Sequence, residues 1–529
     1  MTPSLIWAAK HIVEKPLDPY GFPVVWYKTA MPMSDVMQNP PLSAYYGAAV
    51  GYAAGWSEYA LHLAFFLPAL AVVMGVYQLA SELTSSPLVA GVIMLVTPGF
   101  LVSSTSIMSD VPMLALWMLA IILWRWGLKE GKPFYLAGSG LLIAACALTK
   151  YFGACLIPLL LLYSLWKRKS LGVWVLYLLI PVAILGGYQE WTGSLYGRGL
   201  LSSAAAYAGK TRAEHPMSFW GGSTVGLAFV GGCTLPALIF IPWLWRRTFI
   251  LGACVAAALG AAAAAWGLVQ CGSPFPKEHQ GFLAVQLLLF IAGGISVLAL
   301  GVSDVWRRRD ADSVFLAAWV AGTFAFAAYL NWCVNSRSVL PLIPAAAILI
   351  VRRLDHVQRP PHSAVWALVV PLVVSGLLSL WVAWGDTTLA NSEREAAQIV
   401  HDKTAGQPGR VFFFGHWGWQ YYMQSFGAQP LDLAHLKEVT SADLIVQPEN
   451  NNNPVAIPMA LASSSEVIEL HDRCWMATMC INRAAGFYSS ILGMMPFTLG
   501  GVPDERYLLI RFYPWAFPLP YQPPPTTTK

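Results

Sequence analysis

Charge is what this sequence has least of. Only 11% of its 529 residues are Asp, Glu, Lys or Arg, whereas a soluble globular protein carries about 25%. A chain of this length in water would form several domains, each with a charged surface. The charge to build those surfaces is missing, which excludes an ordinary soluble enzyme and a disordered chain. Cysteine is scarce too, and 8 residues exclude a disulfide-stapled scaffold. No internal repeat and no heptad run stands out. What is abundant is apolar: 57% hydrophobic residues, with 23 Trp. This composition points to a polytopic membrane protein. The formal net charge of +5 implies no nucleic-acid partner, because the basic residues fall where membrane topology wants them.

The remaining charge is uneven. Residues 386–529 hold 13 acids and 9 bases, residues 1–385 hold 14 acids and 23 bases. The expected fold is mainly α. A polytopic transmembrane helical bundle fills residues 59–385, after an outer N-terminal segment, 1–58, with amphipathic helices. A small extracytoplasmic α/β domain, 386–513, and a Pro-rich tail, 514–529, follow. A spanning helix needs about 20 apolar residues. Twelve stretches come near this: 59–80, 87–104, 110–127, 134–149, 151–166, 171–189, 220–245, 248–270, 282–303, 314–332, 338–351 and 364–385.

Bases in short loops mark the cytoplasmic side. Alternate loops hold Arg125, Lys129 and Lys132, then Lys167, Arg168 and Lys169, then Arg246 and Arg247, then Arg307, Arg308 and Arg309, then Arg352, Arg353 and Arg359. Those 14 bases face six in the other short loops. The N-terminal segment and the C-terminal domain then both lie outside. Lys10, Glu14, Lys15 and Asp18 interrupt the opening segment, so it does not read as a signal peptide. No eukaryotic targeting or retention signal is visible, which makes a bacterial inner (plasma) membrane the default.

Function in a membrane protein hides in its polar exceptions. No outer acid or base lies mid-span, where an ion-coupled transporter would more often keep its acids. The outer charges sit at helix ends, as a site open to a lipid-borne substrate requires. Asp110, in Ser109-Asp110-Val111-Pro112, starts a helix. Read alone it is an N-cap, a role compatible with holding a carboxylate in place. Asn39-Pro40-Pro41-Leu42 reads locally as a rigid loop entering a helix. Lys150, in Leu148-Thr149-Lys150-Tyr151, and Arg337, in Asn335-Ser336-Arg337-Ser338, either snorkel to headgroups or meet a phosphate, as point charge and fork respectively.

In this order and sidedness the motifs resemble the family 39 branch of the GT-C superfamily, which includes protein O-mannosyltransferases and lipid A aminoarabinose transferases. The likeness covers most of residues 1–385. It implies a membrane glycosyltransferase, a hexosyl- or pentosyltransferase. Its donor would be a polyprenyl-phosphate sugar, its acceptor a lipid, glycan or protein on the outer face, and its outcome inversion. By the family pattern Asp110 matches the second-loop acid, Lys150 and Arg337 touch the donor phosphate, and Asn39, Pro40 and Pro41 form the loop motif. The family's first transmembrane helix and the acid after it have no counterpart in the sequence. The expectation is that the chain lacks that helix, leaving Asp18 and Asp35 as substitutes for the acid. Whether a divalent metal takes part stays open; His215 and His279 lie in outer loops without ligand spacing. Two readings compete. A transporter or lipid flippase rests on hydropathy alone, and a non-catalytic relative rests on the absent first-loop acid.

In the C-terminal domain, Ser392-Glu393-Arg394-Glu395 reads as a capping box opening a helix to about Asp402. Val411–Phe414 and Asp443–Val446 read as buried strands, with a helix near 418–426 between them and a late strand at Tyr507–Phe512. Cys474 and Cys480 are close in sequence in an outer domain, where a disulfide is expected. His416-Trp417-Gly418-Trp419 is either core packing or a platform for a sugar ring.

Overall fold

The computed structural model describes residues 3–356, 361–451, 459–471 and 474–516. Arg359 and the Pro-rich tail from residue 517 lie outside them. The chain divides into two units. One is helical and holds residues 38–386 with 475–500; the other joins residues 1–37 to 387–474 and 501–529. This division departs from the expected one at two places, each for a visible reason. The first residues are stitched into the α/β unit: Leu433 N donates to Lys28 O at 2.8 Å, and Trp26 stacks on His416 at 4.2 Å. Residues 475–500 are stitched into the helical unit instead. Gln286 exchanges two hydrogen bonds with the Leu499 backbone, at 2.7 and 3.1 Å, and Phe497 packs edge-on against Phe290.

Within the helical unit, chain breaks follow proline. Among the described residues seven helices are long and apolar enough to cross a membrane: Glu58–Leu83, Asp110–Glu130, Val173–Tyr196, Arg247–Ala265, Gln280–Arg308, Ala311–Leu330 and Val365–Thr404. The other five expected spans are short or interrupted. Pro87–Leu95 and Pro98–Ser104 meet at 65°, because Thr97 precedes a proline and is held extended at φ −98°, ψ 123°. Pro133–Thr149 is a shorter apolar helix. Leu156–Arg168 follows a 3-10 turn, Tyr151–Cys155. Phe219–Cys233 stops before Pro236, and Ser336–Val339 is a single turn before Pro341 and the helix Ile343–Leu354.

Asp110–Glu130 is the most enclosed long helix, with 72% of its apolar window buried. Both its ends are polar. Asp110 begins it, and about 22 Å along Arg125 pairs with Glu82 and Asp312 and donates to the Tyr163 hydroxyl.

The other unit is a five-stranded sheet in the order Gln429–Pro430, Val411–Phe413, Leu444–Pro448, Glu505–Phe512, Ala462–Leu470. The first three are parallel and the last two antiparallel to their neighbours. Trp417–Ser425 is the helix between strands. The expected capping box at Ser392 is overridden: one helix runs from Pro361 to Thr404. Ser392 Oγ bonds back to Leu389 O at 2.7 Å, and Glu393 accepts from Trp419 N at 3.1 Å. Trp419 is fully buried in the core, so it packs rather than presenting a sugar platform. The expected Cys474–Cys480 disulfide is not formed. Cys480 sits opposite Ala485 in one small ladder, whereas the strand after Cys474, Met476–Ala477, pairs with Thr498–Leu499 in another.

Candidate active site

The site forms where two helix ends meet in the helical unit. Ser109 occupies the N-cap position, without a side-chain cap bond, and Asp110 is the first helical residue rather than the expected cap. Asp110 is 2% exposed, and its carboxylate lies at the positive end of the helix dipole. Lys150 Nζ donates to Asp110 Oδ1. The pair is local at neither end, since 40 residues separate its members.

A tight turn aims Lys150. The residue is extended, at φ −155°, ψ 129°, between the helix Pro133–Thr149 and the 3-10 turn. Its N–H donates to Cys146 O at 3.0 Å and its carbonyl accepts from Gly153 N at 2.8 Å. A Cβ on Gly153 would lie 2.5 Å from Ala147 N and from Cys146 C. The chain folds back this closely only because glycine has no side chain. Beyond the turn, the Tyr151 and Tyr188 hydroxyls meet at 3.2 Å.

Arg337 reaches the same neighbourhood from a third turn. Asn335 Oδ1 accepts from Ser338 N at 2.8 Å, and Ser338 Oγ accepts from Asn335 N at 3.1 Å, a reciprocal capping box. Residues 475–500 clamp that turn: Ser336 N donates to Phe487 O at 2.9 Å and Ser490 N to Val334 O at 2.8 Å. The guanidinium lies over the Tyr488 ring, 5.8 Å from its centroid. One of its nitrogens contacts Met108 Sδ at 3.6 Å, two residues before Asp110. Arg337 Nε is screened from solvent and has no hydrogen-bond partner among the described residues. A buried donor left open beside an ion pair fits an anion with oxygen acceptors.

Tyr488 is itself fixed. Its hydroxyl donates to Asp386 Oδ2 at 2.8 Å, and Thr478 Oγ1 donates to Asp386 Oδ1 at 3.0 Å. Burial, and then the Asp386 charge, push the Tyr488 phenol well above its usual range, so it stays a donor. Tyr488, Asp386 and Thr478 are absent from the sequence reading. Asp386 had a signal, as the acid ending the last apolar run. Tyr488 had none, since its segment shows no periodicity.

Asp110, Lys150 and Arg337 are therefore brought together. Asn39 to Pro41 lie in the same unit, where the Pro41 carbonyl accepts from Ala44 N and Tyr45 N to open the helix Leu42–Ala54. Asp18 and Asp35 belong to the other unit. His215 ends the helix Leu200–Glu214 and His279 precedes Gln280–Arg308. Neither joins a group of three or more His, Cys, Asp or Glu able to hold a metal ion among the described residues.

Residues 38–186 match the family described as dolichyl-phosphate-mannose-protein mannosyltransferase. The matched stretch contains Asn39 to Pro41, Asp110 and Lys150 and ends before Arg337, so the likeness to this glycosyltransferase family rests on residues 38–186. Among solved structures it is similar to an oligosaccharyltransferase of Archaeoglobus fulgidus tethered to an acceptor peptide. The two share 13% identity and a TM-score of 0.40, covering 81% of this chain and 59% of that one. It is also similar to ArnT from Cupriavidus metallidurans bound to undecaprenyl phosphate, at 14% identity and a TM-score of 0.42, covering 98% of this chain and 94% of that one. Among curated proteins none matches the chain.

Proposed function

We propose that the protein moves a sugar from a polyprenyl-phosphate donor to a lipid, glycan or protein acceptor at the outer face of a plasma membrane, inverting the anomeric carbon. The observation that carries this reading is the buried Asp110–Lys150 pair beside the open guanidinium of Arg337, in a chain whose residues 38–186 match a mannosyltransferase family. Lys150 and Arg337 hold the donor phosphate. As the anomeric C–O bond breaks, its electron pair stays on the phosphate oxygen, and the two cations stabilise the growing charge. The acceptor oxygen forms the new C–O bond from the opposite face, through an oxocarbenium-like state.

The acceptor hydroxyl must lose its proton. Asp110 is tied to Lys150, and a paired carboxylate is a weak base. Donor phosphate draws the ammonium away and frees the carboxylate to take that proton. Binding thereby turns on the base only when a donor is present.

The test is transfer by the purified chain in liposomes, with dolichyl-phosphate mannose as the first donor probe. Asp110→Asn keeps size and loses charge, and it should slow transfer at least about 100-fold, the scale of one acid–base or electrostatic group. A folded Asp110→Asn variant that transfers at the parent rate removes the role given to Asp110.

A further inference from the structure

The α/β unit holds a cavity of about 470 Å³, inside the range of about 300–1,000 Å³ usual for small-molecule sites. One wall is a single face of the helix Pro3–Glu14, where Trp7, Lys10, His11 and Glu14 recur at helical spacing. The opposite wall is the hairpin Pro23–Val25 and Ala30–Pro32 with Gln424 and Gln420 from the helix Trp417–Ser425. The walls are held rather than loose. Trp7 packs edge-on against Trp26 at 6.3 Å, Trp26 stacks on His416, and Gln420 Nε2 donates to Val25 O at 3.4 Å. One polar atom is left over. His11 Nε2 is screened from solvent yet has no hydrogen-bond partner among the described residues. The other side of that ring is occupied by Phe22, 4.7 Å away. An orphaned buried polar atom in a cavity wall calls for a bound partner.

We infer that this cavity is a saccharide subsite, separate from the Asp110–Lys150 pair, that takes one or two uncharged pyranose rings. A sugar ring has an apolar C–H face and a rim of hydroxyls that both donate and accept. Trp7 supplies the flat surface for the first. His11, the Gln424 amide, Glu14 and Lys10 supply a mixed donor and acceptor rim for the second. One acid and one base in the wall give it no net sign, which suits a neutral ligand over a phosphate or a carboxylate. The subsite holds an acceptor glycan or an extended donor sugar, and it does not depend on the transfer chemistry for its own existence.

The test is saturation-transfer NMR on the full chain in lipid nanodiscs, with cellobiose, maltose and methyl α-mannoside at about 10 mM, enough to fill most of a site whose Kd is about 1 mM. At least one probe should receive magnetisation at its ring C–H protons. Trp7→Ala and His11→Leu should each weaken that probe's binding by about tenfold or more. Trp7 is half-buried and His11 lacks a polar partner on Nε2, so both variants should keep the parent melting temperature within a few degrees. Free undecaprenyl phosphate in the nanodisc should leave the probe's signal unchanged, which separates this subsite from the proposed transfer site. No signal with any of the three sugars overturns the proposal. So does a signal that survives in both folded wall variants, or one that undecaprenyl phosphate removes. Loss of transfer activity in Asp110→Asn bears on the transfer site alone.

Discussion

Lys150 and Arg337 do different work on one phosphate, and substitution should separate them. Lys150→Ala leaves Asp110 buried without its counter-charge, which costs about 3–5 kcal/mol for a broken buried pair. Lys150→Arg keeps the charge but replaces a compact ammonium with a wide fork. We expect the alanine variant to melt well below the parent and the arginine variant near it, with both raising the donor KM in a transfer assay. Equal melting of Lys150→Ala and parent would mean the pair is solvated and structurally idle. Tyr488→Phe is the milder probe of Arg337. It keeps the ring under the guanidinium and deletes one bond to a buried carboxylate, worth about 1–3 kcal/mol. Its expected signature is a lowered melting temperature with kcat unchanged, since the phenol touches Asp386 and not the substrate. Residue identity made half of this legible. An acid and a base at helix ends, in an order resembling a known family, pointed to Asp110, Lys150 and Arg337. The Tyr488–Asp386 contact spans 102 positions between an apolar run and an irregular segment, and no local pattern encodes it.

At the scale of elements, hydropathy located the helices and proline decided which are whole. Thr97-Pro98, Thr234 ahead of Pro236, and Leu340-Pro341 are visible in the sequence, but whether each proline kinks a helix or ends it depends on packing. The turn at Gly153 shows what rests on one such choice. Gly153→Ala puts a methyl 2.5 Å from backbone atoms of the preceding helix, so the turn must open. That should cost about 1–3 kcal/mol, the range for overpacking. Because Lys150 sits in the turn, transfer should fall by more than the lost stability explains. An alanine variant with parent melting temperature and parent rate would show the turn to be compliant.

The α/β unit offers a pH test at the same scale. Burial pushes the Asp443 carboxyl up, but bonds from Arg410 N at 2.7 Å and Thr440 N at 2.8 Å, with help from both side chains, outweigh this and hold its pKa below the ordinary value. A lowered folded value means the contribution is fully present above the unfolded pKa of about 3.9 and is lost as pH falls through the folded one. The hydrogen-exchange protection factor of the strand Val411–Phe413, the rate relative to the unfolded chain at the same pH, should therefore fall below about pH 4. In Asp443→Asn that factor should be lower at neutral pH and nearly flat across that window. Parallel pH profiles for the two proteins would remove Asp443 from the account.

The whole molecule is organised by the two ends of Asp110–Glu130. One end carries the Asp110–Lys150 pair with Arg337, the other the Arg125–Glu82–Asp312 group, and apolar helix lies between. In the second group Arg125 Nε donates to Glu82 and its Nη1 to Asp312 and Tyr163. It reads as a structural lock, whereas the first keeps an open guanidinium. Only the first can meet a polyprenyl phosphate in the proposed reaction, so sidedness decides the function. By the pattern of basic loops Lys169 and Arg308 are expected in the cytoplasm, on the Arg125 side. Reporter tags placed there should give cytoplasmic signals, and a tag at Gln407 an extracytoplasmic one. The opposite pattern would turn the Asp110 end toward the cytoplasm, where an outer-face donor cannot reach it. A mixed pattern, with Lys169 and Arg308 on different sides, would mean that one of the interrupted helices between them fails to cross. Phe219–Cys233 is then the segment to examine, because it has only 15 residues before the chain breaks, short of the about 20 a span needs.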